Sequence, residues 1–208
     1  MKKLMLTILT VALLTGIACS SATSSSDSTG LKKISLSDAP EILNISSLLP
    51  TRFAQVDPAS EGMSNKDMGL GSDCSEVQLF VSNDPFQMVY GFMAIINSSI
   101  EGAVFDRQLE DDNSMKDMIK EAILAGAEEQ GVQAAIPDII VSHPDIGDSS
   151  IFGKGSLEIM GFYFGFDILF FRNNKVYIFL YSLSMSSDEV DLLAISKEIG
   201  KRVNNYSQ

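Results

Sequence analysis

Residues 166–183 read FDILFFRNNKVYIFLYSL: two apolar runs on either side of a short polar step. Asn tolerates positive φ, so Asn173-Asn174 is expected to form a two-residue turn between antiparallel strands. With Arg172 opposite Lys175, one face pairs Phe170 with Tyr177, Ile168 with Phe179 and Phe166 with Tyr181. The other face pairs Phe171 with Val176, Leu169 with Ile178 and Asp167 with Leu180. Both faces are apolar, so these strands belong in the middle of a sheet covered on two sides.

The remaining elements follow outward from that hairpin. Downstream, Leu192, Ile195, Ile199 and Val203 recur at helical spacing, after a capping-box pattern at Ser186 and Glu189. Lys197, Lys201 and Arg202 lie toward the negative end of that helix. Upstream, Ser156–Phe164 and Phe166–Phe171 read as separate strands with a bulge or bend at Gly161 and Gly165. Ile136–Val141 reads as another strand, and His143–Ser150 as a turn-rich loop.

Further upstream, Ser114 and Asp117 resemble a capping box opening a helix that Gly131 stops near Gln130. Asn83-Asp84-Pro85 reads as a helix start. Phe86, Val89, Met93, Ile96, Ile100 and Val104 then follow at helical spacing toward Leu109. Glu76–Val81 is expected as a strand with Val77, Leu79 and Val81 on one face, and Arg52–Val56 as another. Asp57–Ser75 reads as a loop, and Asp38–Leu48 as a short helix ended by Pro50.

The fold class is therefore α+β. It has a mainly antiparallel sheet covered by helices, with an apolar C-terminal hairpin leading into a C-terminal helix. In the Phe166–Val203 pattern the chain resembles the PsbP/Mog1-like class of extracytoplasmic domains. That resemblance implies a fold and brings no functional residue with it.

The N-terminus carries a different kind of signal. Lys2 and Lys3 precede Leu4–Leu14, an apolar run of about 11 residues, where a helix needs about 20 to span a bilayer. Gly16-Ile17-Ala18 then supplies small residues before Cys19. This arrangement has the form of a secretory signal and resembles the N-terminus of bacterial lipoproteins. The resemblance implies cleavage before Cys19, lipid attachment at that residue, and a domain facing outside the cytoplasm on the cell membrane or outer membrane. Gly16 departs from the family's aliphatic preference three residues before the cysteine. Ser20 matches the family's outer-membrane default. The expected organisation is a signal peptide at 1–18, lipid-attachment Cys19 with a flexible tether to residue 30, and one domain over 31–208.

Residues 20–30 hold six serines and two threonines and no large apolar side chain. Such a segment cannot bury enough surface to offset its ordering entropy. It would reach roughly 18 Å as a flexible coil.

The chain has 15 basic and 27 acidic residues, net −12; cutting away Lys2 and Lys3 leaves 13 against 27, or −14. A nucleic-acid partner is not expected, since it would need a basic face. Once Cys19 is acylated only Cys74 remains, so no internal disulfide can form, and a buried inert thiol is the expected state. With one histidine and one remaining cysteine, a zinc site is not expected.

Calcium needs only oxygen ligands. Glu110-Asp111-Asp112 with Asp117, and Asp145 with Asp148, are acidic clusters without the spacing of a calcium loop. Ser142-His143-Pro144-Asp145 places triad residue types side by side, but neighbours on an extended segment point to opposite faces and triads are defined by geometry. Gly153-Lys154-Gly155-Ser156 lacks the spacing of a phosphate loop. No cofactor, metal or catalytic set is expected. The leading expectation is a membrane-anchored binding or accessory module that meets an envelope protein or a small ligand. The alternative is an extracytoplasmic enzyme using carboxylates, with Asp145, Asp148 or Asp167 as candidates. Of these, Asp167 stands out because it interrupts an apolar strand, where Arg172 or Lys175 could pair with it.

Overall fold

A computed structural model describes residues 34–61, 75–95, 103, 106–107, 109–129, 131–185 and 190–206. Cys19, the signal segment, the tether, Cys74, Ser186 and Glu189 lie outside these residues, as does most of the expected loop before Ser75.

The architecture is α+β around one antiparallel sheet. Its strands are β1 (Ala54–Val56), β2 (Ser75–Asn83), β3 (Phe86–Ile95), β4 (Ala134–Ala135), β5 (Ile139–Ser142), β6 (Ser149–Ile159), β7 (Phe162–Asn173) and β8 (Val176–Ser184). Among the described residues the spatial order is β1-β2-β3-β8-β7-β6-β4, and β5 also pairs with β6. Among the described residues the α-helices with defined bounds are α1 (Ala39–Leu43), α2 (Asp112–Glu129) and α3 (Leu192–Tyr206), with short 3-10 turns at Leu36–Asp38, Ser46–Leu48 and Pro58–Glu61; residues 103, 106, 107 and 109 are also helical.

The sheet is buried on both sides because its central strands are apolar on both sides. Leu79, Tyr90, Phe92, Phe166, Ile168 and Phe179 form one core with Ile119 and Ile123 of α2. Phe80, Val89, Leu169, Phe171 and Leu180 form the other with Ile42 and Leu43 of α1 and Ile195, Ile199 and Val203 of α3. Burial pushes the Tyr90 and Tyr181 hydroxyls far above their ordinary range.

The central hairpin forms, with its turn one residue later than the sequence suggests. Asn174 and Lys175 make the turn, so Asn173 pairs with Val176 and Arg172 with Tyr177. Phe170 lies opposite Phe179, Ile168 opposite Tyr181, and Asp167 opposite Ser182. Each cross-strand partner is two residues further on than expected, and a two-residue shift leaves every side chain on its expected face. The reason is visible at the tip. Asn174 takes the left-handed conformation, φ 56°. Asn173 instead turns inward, its Nδ2 donating to Asn204 Oδ1 at 3.0 Å and the Gly200 carbonyl at 3.3 Å.

Three expectations need correction. The largest is the expected helix after Asn83-Asp84-Pro85: Phe86–Ile95 is strand β3, joined to β2 by a turn with a cis Asp84–Pro85 bond. From Gln87 to Ala94 every residue is buried, so its helical-looking spacing was a subset of an apolar run buried on both faces. Ile96, Ile100 and Val104 lie outside the described residues. The expected strand Ser156–Phe164 is in fact the end of β6, a tight turn and the start of β7. Met160 (φ 53°) and Gly161 (φ 82°) make that turn, while Gly165 lies in the middle of a strand opposite Ser156 and Ser184.

The third correction concerns the helix starts. Asp111, not Ser114, caps α2, accepting N–H bonds from Asn113 at 3.0 Å and Ser114 at 3.3 Å. Asp191 caps α3 by accepting from the Ala194 N–H at 2.9 Å. A carboxylate one residue before a helix meets free N–H groups and the positive end of the helix dipole together. At the far end of α2, Gly131 (φ 65°) donates to Glu128 and Val132 to Ala127, the pairing of a Schellman stop.

Candidate functional site: an acidic cleft at one end of the sheet

The loop from β5 to β6, His143–Asp148, lies at the end of the sheet where β7 finishes. Ser149, the first residue of β6, pairs with Arg172 on β7. Arg172 is the centre of the site. Its Nε donates to Asp106 Oδ1 at 2.7 Å and its Nη2 to Asp106 Oδ2 at 2.8 Å, a two-pronged pairing that fixes the guanidinium plane. Its Nη1 donates to Asp148 Oδ2 at 2.8 Å and to the Asn174 carbonyl at 3.0 Å. The same Asp148 oxygen accepts the Asn174 N–H at 2.7 Å, and the Asp148 N–H donates to the Arg172 carbonyl at 2.7 Å. Ser149 Oγ donates to Asp106 Oδ1 at 2.6 Å. One side chain thus joins the segment before α2, the β5–β6 loop and the β7–β8 turn.

The electrostatics follow from that geometry. Partial burial pushes the Asp106 carboxyl up. Hydrogen bonds from Arg172 and Ser149 and the charge of Arg172 together outweigh it and hold the carboxyl below its usual range. The hydrogen bond from Asp106 in turn raises Arg172 further, against a smaller opposing effect of burial. The N–H groups of Ser114 and Asn113 hold Asp111 low. Gly147 lets the loop lie against the strand: its φ is 68°, and a Cβ there would overlap the Arg172 carbonyl.

These elements enclose a cleft of about 360 Å³, lined by Asp106, Glu110, His143, Asp145, Asp148 and Ser149 among others. Glu110 of one acidic cluster and Asp145 and Asp148 of the other, separate in the sequence, therefore line one cleft. His143 contacts Asp112 and the Ser150 carbonyl through its two ring nitrogens. Asp106 was not singled out by the sequence, and the cation pairing with Asp148 is Arg172. Among the described residues no group of three or more His, Cys, Asp or Glu is arranged to hold a metal ion.

Asp167 lies elsewhere on the sheet. It is buried on the α3 side, and its partner across the strand pair is Lys154, with Nζ 3.9 Å from Oδ1. Arg172 is engaged at the cleft instead. Along the same face, Arg52 Nη2 donates to Gln87 Oε1 at 2.9 Å and Gln87 Nε2 to Ser184 Oγ at 3.2 Å. Gly153-Lys154-Gly155-Ser156 runs through the middle of β6 as extended strand.

No protein-family description matches this chain, and no curated protein does. Among solved structures, it is similar to the extracellular domain of PknH from Mycobacterium tuberculosis, with 8% identity and a TM-score of 0.43. The match covers 83% of this chain and 92% of that one. The likeness is too slight to carry a fold or a function across. No helix among the described residues is long and apolar enough to cross a membrane.

Proposed function

We propose that this chain is a membrane-anchored extracytoplasmic lipoprotein whose folded domain serves as a binding or accessory module of the cell envelope. One observation carries the reading: the N-terminal order of Lys2-Lys3, the apolar Leu4–Leu14 and Gly16-Ile17-Ala18-Cys19, followed by a serine-rich stretch. Two or more acyl chains on Cys19 would make the anchor effectively permanent, at about 0.8 kcal/mol per buried CH₂. The tether would then hold the domain just clear of the lipid headgroups. In this reading the domain meets an envelope protein or small ligand, and the acidic cleft is a part of its described surface where polar groups from several elements are organised together.

Mass spectrometry of the membrane-extracted protein tests the anchor. An acylated N-terminal Cys19 is expected, and Cys19→Ser should release the domain from the membrane fraction. An unmodified mature terminus in the wild type would overturn the reading.

A further inference from the structure

His143 sits between two acceptors. Its Nδ1 is 3.1 Å from the Ser150 carbonyl oxygen and its Nε2 is 2.7 Å from Asp112 Oδ1. A backbone carbonyl cannot donate, and an ionised carboxylate accepts only. A neutral imidazole carries one N–H and can serve one of these partners. The imidazolium carries two and serves both.

We propose that His143 is a proton-operated latch: doubly protonated, it ties the start of the His143–Asp148 loop to the first turn of α2 and closes one wall of the acidic cleft. The far end of the loop is held differently, by the Asp148 N–H on the Arg172 carbonyl and by Arg172 on Asp148. Those contacts do not depend on an imidazole proton. Loss of the proton leaves the ring one N–H for two acceptors, so one of its two ties is released, while Ser150 Oγ still donates to the Pro144 carbonyl and the Asp148 end stays fastened.

The charged groups around the ring come from every neighbouring element. Asp112, with Asp111 and Glu110 beside it, comes from the start of α2, and Asp106 from the segment before. Asp145 and Asp148 come from the loop itself. Arg172 of β7 lies beyond, engaged by Asp106 and Asp148. The His143 and Asp112 side chains are 46% and 50% exposed, so water and protons reach the pair directly.

His143 is the chain's only histidine, so its ring signals can be followed by NMR in the full-length protein without ambiguity. Amide exchange over residues 143–150, corrected for intrinsic rates, should be measured where those signals show the ring protonated and where they show it neutral. Protection is expected to fall about two- to fivefold as the ring loses its proton, the scale of a half-exposed ion pair. On the acid side both ring nitrogens should show the imidazolium signature. Asp112→Ala and His143→Gln should each abolish the step while leaving β8 amides protected as before. A flat wild-type profile, or a step that survives in both variants, overturns the proposal.

Discussion

The two ends of β7 differ sharply although they belong to one strand. At Arg172 and Asn173 the strand is fastened from three directions: Arg172 holds Asp106 and Asp148, and Asn173 holds Gly200 and Asn204 of α3. At the other end Met160 and Tyr163 are each 66% exposed around a two-residue turn. Each end also carries a glycine with positive φ, Gly147 in the loop against Arg172 and Gly161 in the turn. A Cβ on Gly147 would meet backbone, whereas one on Gly161 meets nothing within 4 Å. Polar organisation between elements thus collects where several loops converge, whereas beside the β6–β7 turn the polar pairing is local, Tyr163 with Glu158 of the adjoining strand.

Three substitutions grade that contrast. The largest effect is expected for Gly147→Ala. It combines a left-handed backbone with an overlap on the Arg172 carbonyl, and should cost about 3 kcal/mol or more in chemical denaturation. A cost near that of Gly161→Ala would erase the distinction between the two ends.

Arg172→Ala comes next, at about 2–3 kcal/mol, because it takes the guanidinium from Asp106 and Asp148 and leaves them only the Ser149 hydroxyl and the Asn174 N–H. It should also alter the acid limb of the stability profile. Asp106 is held below its unfolded value, so its contribution is present above that value and is lost as pH falls through the lower, folded one. The wild type should show that loss and the variant should not. An identical acid limb in both would remove Asp106 from the account. The smallest effect is expected for Gly161→Ala, which meets only the left-handed penalty of about 1–2 kcal/mol. Thermal melts of the glycine pair supply the comparison directly.

The sequence reveals the fold most clearly where a pattern has one physical reading. The β7–β8 hairpin is legible because two long apolar runs flank a polar step, and the α3 stripe because Leu192, Ile195, Ile199 and Val203 are all buried. β3 misleads because a strand buried on both faces has no alternation, so any period can be picked from it. The Met160-Gly161 turn misleads because methionine rarely adopts positive φ, and Gly161 alone resembles a bulge.

The cleft is half legible. Its acidic clusters stand out in the sequence, but their meeting depends on the β5–β6 loop reaching the end of β7. Asp106 is hidden in what reads as the tail of a helix. The available signal was Arg172 itself, a cation ending an apolar strand beside a turn, where a guanidinium needs carboxylate partners.

The position of β8 sets an order on the birth of this molecule. It lies between β3 and β7, so among the described residues the β1–β3 half and the β4–β7 half are joined in the sheet only through Val176–Ser184. Until those residues join the sheet, each half ends in a strand with an unpaired edge, open to mispairing with other chains. The last strand added is therefore the keystone, and the interval before its arrival is when this chain most needs to be kept apart from its neighbours.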